Sequence, residues 1–235
     1  MSRFKGVGQV LHFNWPAYAG AAGIVALALV APRPLRRPLA AAAITVGWFA
    51  AASLVVTNLV YDRSEFSEWE WPRSLLKRTP RRVAALHAGL DNVSTNLGRL
   101  WPDAEIQVVD FYDPLTMTEP AIARARAGRR HGDRLDELKP GTDAAVIVLA
   151  AHELRTGPDR AKFFKTVASR LAPDGRILLL EHLRDVPNAI AYGPGAWHFL
   201  PRDAYRTAFA EARLTLVQER AITPFLRLFV LARQV

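Results

Sequence analysis

Two long charge-free apolar runs near the N-terminus constrain this 235-residue chain more than any other feature. Residues 15–31 carry no charge, and residues 38–60 carry none over 23 positions. At 1.5 Å per helical residue the second run reaches about 34 Å, enough to cross a hydrocarbon core with some tilt. The first is marginal unless it borrows residues 10–14. Between them stands PRPLRRP at residues 32–38, a proline-punctuated turn with Arg33, Arg36 and Arg37. The pattern predicts a transmembrane helical hairpin over residues 1–60. A secretory signal would be a single segment with a small-residue cleavage site, and the second, longer run argues against it. A shallow re-entrant hairpin is the alternative. A buried helical pair of a soluble domain fits runs of this length less well.

Orientation follows from Lys and Arg near the helix ends. The hairpin turn has three; the other face has Arg3, Lys5, Arg63, Arg73, Lys77 and Arg78. The remainder of the chain is therefore expected on the cytoplasmic side of the inner membrane. Tyr61, Phe66, Trp69 and Trp71 follow the second run, mixed with charge. Residues 61–79 read as an interfacial linker in the headgroup layer; the alternative is an ordinary linker with core-packing tryptophans.

Net charge is +9, which suggests nucleic acid until it is divided by position. No Asp or Glu precedes Asp62, and beyond residue 61 there are 26 basic residues against 22 acidic ones. Dense basic runs occur only at residues 77–82 and 124–134, without the stripe that tracks a phosphate backbone, so nucleic acid is not an expected partner. The absence of cysteine excludes disulfides, thiolate metal sites and cysteine nucleophiles. With half its residues apolar, the chain is not intrinsically disordered.

From residue 80 short apolar runs alternate with helical stretches. Strands are expected at 82–87, 105–110, 143–150 and 176–181, with helices at 92–100, 119–127 and 159–171. The continuous runs at 144–150 and 177–180 read as strands buried on both faces, which is the habit of parallel sheets. The alternation predicts an α/β fold, a Rossmann-like, doubly wound, mostly parallel sheet over residues 80–235. A helix at 202–212 leads to strands at 214–221 and 225–233. Their connection is too short for a parallel crossover, so the sheet closes antiparallel.

Particular segments carry a resemblance. ASRLAPDGRILLLEH at 168–182 has a helix end, a Pro-x-Gly turn and a strand finishing in Glu-His; DAAVIVLAAHEL at 143–154 is a strand running into a His-containing loop. With HFLPRD at 198–203 and EARLTLV at 211–217, they resemble the class I S-adenosylmethionine (SAM) dependent methyltransferases of the ubiquinone and sterol type. The resemblance covers residues 80–235 and implies SAM as cofactor. The family's first strand ends in an acid and a Gly-x-Gly-x-Gly loop. Here LHAGLDN at 86–92 keeps Gly89 alone, with His87 where the acid is expected and Asp91 where the second glycine is expected. Asp91 could cap the next helix and face the cofactor's ammonium. Asp110, 21 residues after Gly89, matches the acid that holds the ribose hydroxyls, with Asp113 nearby. The third strand is hard to find; Asp133, in HGD at 131–133, is the best match for its adenine-binding acid.

On the acceptor side the resemblance implies that methyl transfer needs positioning, loss of water and, for a hydroxyl acceptor, a base. His152, Glu181, His182 and His198 are expected to converge as catalytic residues at the strand ends, with Glu153 beside them. A histidine base would give a rate limb at about pH 6–7. Tyr112, Tyr192 and Trp197 could wall the pocket, and residues 187–201, with Gly193 and Gly195, could form a lid. No ligand pair has metalloprotease spacing, so no metal is expected; no Gly-x-Ser-x-Gly elbow is present. The combined expectation is a membrane-anchored methyltransferase with an apolar or amphipathic acceptor such as a lipid, quinone or isoprenoid. The alternative is a methyltransferase-fold scaffold or binding protein that has lost SAM.

Overall fold

The computed structural model describes residues 4–91, 93–126 and 132–234. A six-stranded sheet comprises β1 (Arg82–His87), β2 (Glu105–Asp110), β3 (Thr142–Val148), β4 (Leu171–Glu181), β5 (Leu214–Thr223) and β6 (Leu226–Arg233). Their spatial order is β2-β1-β3-β4-β6-β5. The first four strands are parallel and β6 joins β4 antiparallel, as does β5 to β6. β1 and β2 have the bounds their apolar runs predict. β3 is shorter and β4 longer than expected, because pairing extends through the turn before Arg176.

Side chains alternate along each strand and divide the core into two layers. Leu86, Ile147 and Leu179 face α6 (Gly157–Arg170) and α8 (Arg202–Glu211) through Phe163, Phe164, Tyr205 and Phe209. Ala85, Val146 and Leu180 face Leu97 and Leu100 of α4 (Ser94–Leu100). Each fully buried Leu or Phe contributes about 1.5–3 kcal/mol of transfer free energy. Among the described residues the expected third strand is a single bridge from Asp133 to Val109 beside β2, and Gly132 is forced there because a Cβ would meet the Val108 carbonyl oxygen at 2.5 Å. His131 lies outside the described residues.

Two helices, α1 (Lys5–Val30) and α2 (Arg33–Thr57, running on as a π-turn to Asp62), form the N-terminal hairpin. By length and composition both could cross a membrane. α1 breaks at Asn14, two residues before Pro16, whose ring cannot continue the hydrogen-bond ladder. Tyr18 Oη and Ser53 Oγ link the helices at 3.1 Å, and the Asp62 carboxylate caps α1 by accepting from Gly6 N–H at 2.8 Å. The tip of the hairpin exposes Leu27, Leu29, Val30, Leu35 and Ile44. Its base docks on the α/β unit: Trp48 Nε1 donates to the Ile190 carbonyl at 3.4 Å, and Arg124 Nε donates to the Phe13 carbonyl at 2.8 Å.

Two sequence expectations are corrected here. Phe66, in the short helix α3 (Glu65–Glu68), and Trp71 are buried against Val56, Val60 and the sheet, so these two rings pack in the core instead of lying in a headgroup layer. The expected lid at 187–201 is largely helical. α5 (Pro120–Arg126) precedes it in the chain, and α7 (Val186–Tyr192) opens it with Asp185 as N-cap and Pro187 in the first turn. A 3-10 turn, Gly193–His198, follows.

Candidate active site

The parallel strands end together, and the turns beyond them carry the polar residues. After β3 the chain makes a 3-10 turn, Ala151–Glu153, held from below by Glu181 at the end of β4. Glu181 is fully buried, and its Oε1 accepts from the N–H groups of Ala150 at 2.9 Å, Ala151 at 2.7 Å and His152 at 3.3 Å. Its Oε2 lies 2.8 Å from His152 Nδ1. That contact places the Nδ1 proton toward the carboxylate and turns His152 Nε2 outward. Glu153 Oε1 is 3.3 Å from this Nε2 and 2.9 Å from His198 Nε2.

Electrostatics follow from burial and these partners. Burial alone would push His152 down, but the Glu181 and Glu153 carboxylates outweigh it and hold it up at about 10. Burial would raise Glu153, yet hydrogen bonds from His152 and His198 keep its carboxyl well below the usual range. His152 is thus an imidazolium at neutral pH and is not itself a base with a limb at about pH 6–7.

Beyond the cluster lies a cavity of about 920 Å³. Its polar end is formed by Glu119, His152, Glu153 and His198, and its far walls by hairpin residues including Tyr18, Ile24, Phe49 and Ser53. Of the four expected catalytic residues, His152 and His198 line this cavity and Glu181 stands directly behind His152. His182 does not join them. It stacks on Phe199 at 4.8 Å, and its Nδ1 faces the Phe225 carbonyl at 2.8 Å and Asn188 Oδ1 at 3.1 Å. Burial pushes it down to about 4. Tyr192 lines the cavity, Trp197 is largely exposed, and Tyr112 stacks under Arg126. Glu119, in the turn before α5, escaped the sequence reading; only its tertiary placement, 3.8 Å from His198 Nδ1, draws attention to it.

Comparison with solved structures gives the architecture a name. A candidate O-methyltransferase from Nostoc punctiforme PCC 73102 superimposes with a TM-score of 0.55 at 16% identity, covering 96% of this chain and 72% of that one. Mitomycin 7-O-methyltransferase gives 0.54 at 15%, covering 99% and 73%. Geranyl diphosphate C-methyltransferase from Streptomyces coelicolor A3(2), in complex with Mg2+, geranyl diphosphate and S-adenosyl-L-homocysteine (SAH), gives 0.53 at 13%, covering 77% and 82%. The fold is a methyltransferase fold. No protein-family model and no curated protein sequence matches the chain.

In a methyltransferase fold the turn after β1 and the end of β2 are where a nucleoside cofactor would lie. Gly89 has φ +92°, a conformation that suits glycine. Its N–H donates to Asp110 Oδ1 at 2.9 Å, and Tyr112 N–H donates to the same oxygen at 3.0 Å. His87 Nδ1 is 3.6 Å from that oxygen. Asp91 accepts from the N–H groups of Val93 at 3.0 Å and Ser94 at 2.9 Å, so it caps the start of α4. A glycine turn beside a buried acid fits a ribose with an amino-acid tail. In this conformation Arg126 occupies Asp110 Oδ2, and the side chains of Ile122 and Arg126 cover Gly89. Asp113 and Asp133 are engaged elsewhere. Asp113 accepts from Leu115 N–H at 2.9 Å within its own turn, and Asp133 accepts from Gln107 Nε2 at 2.8 Å.

Proposed function

We propose that this chain is a membrane-anchored SAM-dependent methyltransferase whose acceptor is an apolar or amphipathic small molecule of lipid, quinone or isoprenoid type. The observation that carries the reading is the cavity itself. One wall consists of helices that are apolar enough for a bilayer, and the other consists of the strand-end turns of a methyltransferase fold. Such a space suits a molecule with a polar head and an apolar body, delivered from the membrane side.

SAM, when bound, supplies an electrophilic methyl group. Asp110 would hold the ribose hydroxyls, with the Gly89 turn beside the amino-acid tail and Asp91 near its ammonium. The apolar hairpin wall excludes water from the acceptor. His152, oriented by Glu181, Glu153 and His198 would hold the acceptor's polar atom at the cavity end. In the same reading residues 1–60 anchor the chain in the inner membrane, 61–79 connect, and 80–235 form the cytoplasmic catalytic unit.

The test uses the full chain in detergent micelles. A saturating concentration of SAH, at about one hundred times its dissociation constant, should stabilise the fold by about 2.7 kcal/mol. Lipid extracts from cells with and without the gene should differ by a species one methylene heavier. No thermal shift at millimolar SAM or SAH would favour the scaffold reading, which the Arg126–Asp110 ion pair supports. Deletion of residues 1–60 should abolish membrane pelleting after a high-salt wash. It also removes Val56 and Val60 from the core, so the remainder should be less stable than the full chain.

A further inference from the structure

Three side chains at the polar end of the cavity present ligand atoms that all lie within 4.8 Å of one another: His152, Glu153 and His198. We propose that they form a binding site for one divalent transition-metal ion of the zinc type, with an open position facing the cavity. Whether the site binds metal is independent of the proposed function; only what the metal does there rests on that reading.

Geometry is the first argument. Ligand atoms at about 2.0–2.2 Å around a tetrahedral zinc are separated by roughly 3.3 Å. Glu153 Oε1 already lies 3.3 Å from His152 Nε2 and 2.9 Å from His198 Nε2, so these two ligand edges need little adjustment, and the third lies within 4.8 Å. A nitrogen, an oxygen and a nitrogen make the donor set that zinc and its first-row neighbours prefer over magnesium or calcium.

The second argument is the support behind His152. Metal-binding imidazoles characteristically donate their other ring N–H to a carboxylate that fixes tautomer and orientation. Glu181 Oε2 stands 2.8 Å from His152 Nδ1, and Glu181 is itself immobilised by three backbone N–H groups. His152 Nε2 is thereby aimed at the other two ligands.

Charge and access agree. Glu119, Glu153 and Glu181 set three carboxylates around the two imidazoles, and a dication offsets two of those three charges. Glu119, His152, Glu153 and His198 all line the cavity, so a fourth ligand or an acceptor oxygen can complete the shell and be polarised by the metal. Arg155 is the competitor: its guanidinium reaches the His198 ring and donates to the His198 carbonyl at 2.5 Å. Metal at Nε2 replaces that cation in the local balance.

The experiment takes the full chain in detergent micelles, strips it with chelator and titrates it with Zn2+ by calorimetry and with Co2+ by visible absorption. One equivalent should bind with a micromolar or tighter dissociation constant. Glu153→Gln and His198→Ala should each weaken binding by at least about tenfold, with SAH affinity unchanged. His198 is partly exposed, so its variant should fold even if that of Glu153 does not. Arg155→Gln should tighten binding. Failure of the folded chain to bind either ion stoichiometrically, or affinity unchanged from the parent chain in both ligand variants, overturns the site. Metal binding without any SAH binding would uphold the site and count against the proposed function alone.

Discussion

The guanidinium of Arg126, the last residue of α5, donates to Asp110, the buried acid at the end of β2, while its aliphatic stem lies against Gly89. An acid that would hold ribose hydroxyls is therefore shared with a side chain of the protein. Arg126→Ala should remove that partner from Asp110 Oδ2 and tighten SAH binding by about tenfold, since the competent conformation no longer competes with the ion pair. Asp110→Ala should weaken SAH by about 1–3 kcal/mol. Calorimetry on the full chain measures both. Unchanged affinity in both variants would place the cofactor elsewhere or nowhere.

Glu181 is the tie between β4 and the turn that carries His152. Glu181→Ala strands three N–H groups and removes one of the two carboxylates paired with a buried imidazolium, so unfolding in urea should lose about 3–5 kcal/mol. Glu181→Gln keeps an acceptor for the backbone and should lose clearly less. Equal losses would mean that the carboxylate charge, and not its hydrogen bonds, holds the turn.

His182 makes stability depend on acid. It is neutral and buried, held down at about 4 by burial, against 6.5 when exposed. The unfolded chain therefore takes up a proton that the folded one refuses. The contribution of His182 is complete above about pH 6.5 and declines as pH falls toward 4, by roughly 3 kcal/mol. Thermal unfolding across this window should show the slope, and His182→Gln should flatten it. An identical slope in the variant would assign the acid sensitivity to other groups.

Much of the architecture is decided by local pattern. Short runs of strand-forming residues set β1 and β2 to the residue, although β1 is buried along nearly its whole length and β2, with Gln107 at its centre, is only partly buried. The short link at Pro224 dictates the antiparallel closure, and the charge-free lengths dictate two long helices. Asp91 was legible as a helix cap because an Asx side chain bonds backbone a few residues ahead. The site is different, since its members come from segments far apart in the chain. Glu181 and His182 are neighbours in sequence, yet alternation along the strand sends them to opposite faces, so one supports His152 and the other stacks on Phe199. α7 was hidden because seven residues are too few for a helical period to show, and Asp185 and Pro187 start it only once it has α2 to pack against. The sequence by itself determined a hairpin and a parallel sheet, because both follow from contiguous stretches of hydrophobicity. Only the tertiary structure decided that the hairpin walls the cavity, that α5 covers Gly89 and that Glu119 joins the histidines. Those relationships depend on how independent elements dock, and no local pattern encodes docking.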